Sequence, residues 1–299
     1  MGVELMDFYA EDGVLLNGYI SKCNSKKIII SVHGMSSNCL KNRDKVIMEK
    51  LYENNISYLS FNNRGSELVR YLTTYDNGKK VKKIGGTSYE DVLDGYLDIK
   101  AVIQKVITLG YTDIYMQGHS LGSTKVLYTY NKLKSEKSEL LKYIKGIILL
   151  SLVDIPRALK VYSKDKFEYY KNYAEKKESN NELLEFMPLE SFIHPISVKS
   201  YLRYIRDNED FNFARYSDEN YDFKELNYID IPLFMRWGNV YEMIEQAAIE
   251  LVNLINSKIK NLNKDINYID GADHGYNGKE DVLAKQIIEF IKKYDNKYI

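Results

Sequence analysis

Short apolar runs alternate along this chain with longer stretches of helical periodicity. That alternation constrains the fold more than any other feature. Strands that recur with helices between them pair in parallel, and a parallel sheet needs helices on both faces. Lys27–Val32 carries Ile28, Ile29, Ile30 and Val32, the mark of a strand buried on both sides. Runs at 56–61, 113–117, 147–153, 231–237 and 266–269 read the same way. Residues 5–9 and 14–22 flank Glu11-Asp12-Gly13, and Asp-Gly between apolar runs predicts an opening antiparallel pair. Helices are predicted over Asn38–Tyr52, over Leu121–Leu133, and at the end of the chain, where Leu283, Ile287 and Ile291 share a face. Thr87-Ser88-Tyr89-Glu90 has capping-box spacing. Behind it Val92, Tyr96, Ile99, Ile103 and Val106 repeat at helical spacing until Gly110. There is no internal repeat.

The composition shifts between Ile155 and Ile229. Nine Tyr and six Phe fall in those 75 residues, against 13% aromatic content overall, and strand signals are few. A structureless loop of that length is unusual in a compact domain. The expectation is therefore a core of residues 1–154 and 230–299. A helical, aromatic-rich cap, 155–229, is inserted between its sixth and seventh strands and lies over the carboxyl edge of the sheet. Cap tyrosines such as Tyr169, Tyr201 and Tyr204 are expected to line a substrate site. The basic run Lys79, Lys80, Lys82 and Lys83 is expected in a solvated polar loop.

Composition narrows the function classes. Lys+Arg and Asp+Glu are both 42, so no basic excess is available to neutralise a nucleic-acid backbone. No apolar run approaches a membrane span. The start Met1–Met6 lacks a basic, then apolar, secretory pattern. With only Cys23 and Cys39, the chain suits a reducing cytoplasm rather than a disulfide framework. The histidines, His33, His119, His194 and His274, are too scattered for a metal motif, and no cofactor is called for.

The sharpest chemical signal is Gly118-His119-Ser120-Leu121-Gly122, which fits G-x-S-x-G. A predicted strand, Ile114–Gln117, runs into it and a predicted helix leaves it, the context that a nucleophile elbow needs. So tight a turn requires small flanking residues and thrusts the Ser120 hydroxyl out at the sheet edge. Serine needs an adjacent base. His274, in Gly271-Ala272-Asp273-His274-Gly275 just past the last strand, can reach back to it. His33-Gly34-Met35 follows the first buried strand, where a loop can aim a backbone N–H at a developing oxyanion. The second donor comes from the residue after the nucleophile, so the pair is Met35 and Leu121. His33 and His119 read as structural, and His194 as a satisfied polar residue or a substrate contact. Asp273, next to the base, is expected to point elsewhere.

On His33-Gly34, the Gly118–Gly122 motif and Gly271–His274, the chain resembles the α/β-hydrolase superfamily over nearly its full length. The cap stretch Pro195-Ile196-Ser197 with Tyr201-Leu202 is similar to the branch that includes fungal siderophore esterases. The resemblance implies a mostly parallel eight-stranded sheet, no metal, and a serine mechanism on a small-molecule carboxylic ester. Amide, thioester or carbon–carbon hydrolysis, or a non-catalytic ligand-binding role, are the alternatives. The superfamily commonly keeps an Asp three residues after a glycine that here is Gly238, and that position is Tyr241. Glu242 is the carboxylate of that loop and the favoured triad acid. Asp154, after the neighbouring strand, is its rival.

Overall fold

A computed structural model of the chain describes residues 1–206, 213–218 and 220–295. Its strands are β1 (Val3–Tyr9), β2 (Leu15–Ser21), β3 (Lys27–Val32), β4 (Ser57–Asn62), β5 (Arg70–Asp76), β6 (Lys79–Gly85), β7 (Asp113–His119), β8 (Ile144–Leu150), β9 (Leu233–Gly238) and β10 (Lys264–Ile269). Eight of them form one sheet in the order β1-β2-β4-β3-β7-β8-β9-β10. The β1–β2 and β2–β4 pairs are antiparallel, and every pair from β4–β3 to β9–β10 is parallel. The mostly parallel eight-stranded sheet is therefore as expected. The helices are α1 (Asn42–Glu53), α2 (Gly95–Thr108), α3 (Leu121–Ser135), α4 (Ile155–Ser163), α5 (Phe167–Ser179), α6 (Val198–Ile205), α7 (Lys224–Asn227), α8 (Ala248–Lys258) and α9 (Glu280–Asp295).

Strand alternation divides the apolar residues between two layers. Ile28, Ile30 and Val32 join Ile99, Val102, Val126 and Leu127 of α2 and α3, and Leu251 and Ile255 of α8. Ile29, Tyr58, Tyr115, Ile148 and Phe234 face the other way and join Ile47 and Leu51 of α1 and Leu283, Ile287 and Ile291 of α9. Helices thus cover both faces. A third cluster lies between β8 and β9, where α4, α5 and α6 pack around Leu159, Tyr170, Tyr201 and Tyr204, seated on Leu121 of α3.

Two local expectations fail. Lys79, Lys80, Lys82 and Lys83 lie in β6, paired in register with β5, and not in a loop. The missed signal is Asn77-Gly78, whose φ values of 48° and 76° supply the mirror-image turn that a tight hairpin needs. β6 is exposed from Lys79 to Ile84, so its lysines are solvated after all, on an edge that like charges keep from pairing further.

Thr87 and Glu90 do not form a capping box. The Thr87 hydroxyl accepts from Ser36 N–H at 2.7 Å and donates to the Gly65 carbonyl at 2.7 Å. Glu90 instead pairs with Lys125 of α3 at 2.6 Å, with both side chains essentially excluded from solvent. A tertiary partner outcompeted the local cap. The helical stripe behind it is as expected, and Gly110, at φ 91°, ends it.

Breaking one partner of a buried pair strands the other's charge. Glu90→Gln should destabilise the fold by about 3 kcal/mol, read from urea unfolding. The double substitution Glu90→Leu, Lys125→Met should recover much of that loss.

Candidate active site

Ser120 stands between the end of β7 and the first residue of α3 with φ 53° and ψ −125°. A non-glycine residue held there carries strain of order 1–3 kcal/mol, sustained only by the surrounding structure. The constraint is visible in the glycines. A Cβ on Gly118 would lie 2.4 Å from the Gly122 carbonyl oxygen, and one on Gly122 would lie 2.1 Å from that of Val32. Ser120 N–H donates to Leu150 O at 2.8 Å, tying the turn to β8. The Ser123 hydroxyl accepts from Leu150 N–H at 3.1 Å.

The loop after β3 brings Gly34 and Met35 against this turn. Asn63 N–H donates to His33 Nε2 at 3.3 Å, so Nδ1 carries the proton and donates to Gly34 O at 2.9 Å. Burial and the nearby Lys125 charge push the His33 pKa down to about 3. The ring is thus a neutral clasp on the loop and not a base. Leu121 N–H is one of the orphan donors of the first turn of α3. Ser120, Leu121, Met35 and His274 line one cavity of about 160 Å³, together with Met243 and His194. The His194 ring comes from the segment between β8 and β9, and its Nε2 lies 3.0 Å from the Ser36 hydroxyl beside Met35.

His274 follows β10, and its Nδ1 contacts Glu242 Oε1. Glu242 is held from several sides. Its Oε2 accepts from the Ser151 hydroxyl at 2.7 Å and from Gly238 N–H at 2.9 Å. Burial works to raise the Glu242 pKa. The contact with His274, the Gly238 N–H and the Ser151 hydroxyl outweigh it, and the carboxyl is held below its usual range. His119, read as packing, does more. Its Nε2–H donates to the His274 carbonyl at 2.7 Å, and burial keeps the ring neutral. Asp273 turns to its own loop, accepting from Gly275 and Asn277 N–H groups at 3.0 and 2.9 Å.

Asp154 has a different place. It caps α4, with Oδ1 accepting from Arg157 N–H at 3.1 Å, and burial raises its pKa to about 6. The five residues singled out in the sequence, Ser120, His274, Glu242, Met35 and Leu121, are therefore brought to one end of the sheet. Ser151, Gly238 and His119 complete the arrangement. Of these, His119 and Gly238 are marked in the sequence in other roles, whereas nothing local marks Ser151, a serine at a strand end, as a carboxylate clamp. The lining expectation for the tyrosines fails. Tyr201 and Tyr204 are buried in the third apolar cluster, and Tyr169 is 62% exposed. Phe192 lines the serine cavity instead, and Tyr162 and Tyr216 line an adjoining cavity of about 280 Å³. Among the described residues no cluster of three or more His, Cys, Asp or Glu side chains is placed to hold a metal ion, and no helix is long and apolar enough to cross a membrane.

The two carboxyls should influence stability in opposite senses. A depressed pKa makes the Glu242 contribution present above the ordinary carboxylate range and lost as pH falls through its folded value. Asp154 binds its proton more tightly when folded, so between about pH 4 and 6 its contribution declines as pH rises. Asp154→Asn should therefore gain unfolding free energy relative to wild type between pH 4.5 and 7.5, by on the order of 2 kcal/mol or less, read from urea unfolding at each pH. A difference that does not change with pH contradicts the assignment.

No protein-family model matches the sequence, and no curated protein is similar enough in sequence to match it. Solved structures do match. Est1E from Butyrivibrio proteoclasticus, solved with ferulic acid, is 19% identical with a TM-score of 0.64, covering 97% of this chain and 99% of its own. The Pyrococcus furiosus esterase Pf2001 is 17% identical with a TM-score of 0.61, over 98% and 93%. The α/β hydrolase GrgF from Penicillium sp. sh18 is 14% identical with a TM-score of 0.67, over 98% and 99%. With its central sheet, its elbow and these neighbours, the chain has the α/β-hydrolase fold over nearly its entire length.

Proposed function

We propose that the protein is a serine hydrolase that cleaves a carboxylic ester through an acyl-enzyme on Ser120. The reading rests on one observation above all. A strained elbow serine and a histidine paired through Nδ1 to a buried carboxylate line the same cavity. His274, with Nδ1–H donated to Glu242, keeps Nε2 free to take the Ser120 proton. The Ser120 oxygen attacks the acyl carbon, and the Met35 and Leu121 N–H groups receive the oxyanion. Collapse expels the alcohol, which takes the proton from His274. Water then attacks the acyl carbon while losing a proton to the same nitrogen, the bond to the Ser120 oxygen breaks, and that oxygen takes the proton back as the acid leaves.

Glu242 reaches His274 although it begins one residue later than the superfamily's usual Asp, because its side chain is one methylene longer. That contact favours the catalytic reading over the non-catalytic one, whose motive was the Tyr at 241. The described parts of segment 155–229 act as a cap. Ile155, Ala158, Phe192, Ile193 and His194 from it close the serine cavity. Pf2001 is named as an esterase, which favours esters over amides.

Ser120→Ala should lose roughly 10³-fold or more in turnover of a p-nitrophenyl ester while unfolding like wild type. A fluorophosphonate should label Ser120 in the native protein alone. Glu242→Gln should lose about 10²–10⁴-fold, because the histidine then adopts the wrong tautomer. Near wild-type turnover in both variants would exclude the mechanism.

A further inference from the structure

The β5–β6 ribbon carries a charge that the rest of the chain offsets. From Leu68 to Gly85 there are five cations, Arg70, Lys79, Lys80, Lys82 and Lys83, against one carboxylate, Asp76. A local charge of +4 thus stands on a chain of net zero. Among the described residues no ion pair reaches any of the four lysines.

Register separates the two faces of the ribbon. Leu72 and Thr74 turn to the body and are buried, Thr74 meeting Val14 in an isolated bridge. The other face carries the cross-strand pairs Tyr71–Ile84, Thr73–Lys82 and Tyr75–Lys80. Tyr71 is 69% exposed, and Tyr75, Lys80, Lys82 and Ile84 are exposed with it. Tyr75 extends this face onto the main sheet, its ring lying 5.6 Å from that of Tyr9 on β1. Leu5, four residues earlier on the same face of β1, is 91% exposed. Aromatic, aliphatic and cationic side chains are interleaved on one continuous surface.

That mixture suits the boundary layer of an anionic bilayer. Tyrosine rings sit at headgroup level, and aliphatic side chains reach the acyl edge. Lysine stems lie along apolar surface while their ammonium groups meet phosphates. A single nucleic-acid strand would need open aromatic faces in series. Here Lys82 Nζ lies 5.8 Å over the Tyr71 ring, and Tyr9 and Tyr75 meet edge to face. Ile84 and Leu5 would gain nothing from bases. A second copy pairing along β6 would bring like charges together.

We propose that the free face of the β5–β6 ribbon, with Tyr9 and Leu5, docks the protein on the surface of an anionic phospholipid bilayer. This holds whether or not Ser120 is a nucleophile. The dock is rooted beside Met35. Glu67 N–H at one foot of the ribbon donates to Ser37 O at 2.9 Å, and Thr87 Oγ1 at the other accepts from Ser36 N–H at 2.7 Å.

The test is sedimentation with large unilamellar vesicles, of phosphatidylcholine alone or with about 30% phosphatidylglycerol. Wild type should bind the mixed vesicles about 10-fold or more tightly than the neutral ones, and less tightly as NaCl rises from about 0.05 to 0.5 M. Lys80→Glu with Lys82→Glu should lose about 10-fold or more, whereas Lys80→Arg with Lys82→Arg should bind like wild type. Tyr71→Thr with Ile84→Thr keeps both charge and strand preference and should lose several-fold. Urea unfolding like wild type checks that each variant is folded. Equal binding to both compositions, or no binding to the mixed vesicles, overturns the proposal. So does full binding by the charge-reversed variant or by the variant at Tyr71 and Ile84. An oligothymidylate of about 20 nucleotides that releases wild type from the mixed vesicles overturns it in favour of nucleic acid. A wild-type dimer in sedimentation velocity that either of those variants dissolves overturns it in favour of a second copy.

Discussion

A side chain on Gly122 would put its Cβ 2.1 Å from the Val32 carbonyl oxygen, so α3 begins almost in contact with the end of β3. The site depends on it. A helix that starts so near its sheet leaves no room for an ordinary turn, and Ser120 is forced to positive φ. The same approach sets the Met35 loop, which leaves β3, beside Leu121, which opens α3. Parallel pairing does the rest. Because β3, β7, β9 and β10 run the same way, their following loops emerge at one edge and converge there.

Behind this edge lies a polar layer unusual for a core. Lys125 Nζ donates to Asn63 Oδ1 at 3.1 Å as well as to Glu90, while Asn63 N–H holds His33. The charge pair on α3 and before α2 is thus coupled by hydrogen bonds to the loop carrying Met35. Arg64, next in sequence to Asn63, is bound in turn by Asp98 and Asp12. Such networks contribute rigidity more than net stability. Rigidity is what a set of backbone donors needs if it is to meet a developing charge without reorganising.

Much of this was legible in the sequence because its signals are local. Ile28 to Val32 can only be a buried strand, and glycines four apart around a serine can only suit a tight strand-to-helix turn. What was not legible depended on partners distant in the chain. Glu90 looks like a helix-cap residue until Lys125 is known to face it. Tyr201 and Tyr204 look like site-lining aromatics until the third apolar cluster buries them. Glu242 and Asp154 each follow a strand in this half of the sheet, and sequence alone could only rank them. The geometry separates their partners, His274 for one and the start of α4 for the other. Asn77-Gly78 is a failure of another kind, since a strong local hairpin signal was present and lost among lysines.

The order of strands gives the site an uneven foundation. Ser120 follows β7, an inner strand flanked on both sides, whereas His274 follows β10, which closes the sheet at its far edge and is only partly buried along its length. Outer strands open at lower free energy than inner ones. Ser120 therefore rests on a well-protected part of the molecule and His274 on one of the less protected. On warming, His274 would drift from Ser120 while the central sheet stayed closed, so any chemistry that needs both would meet its thermal limit below that of the fold.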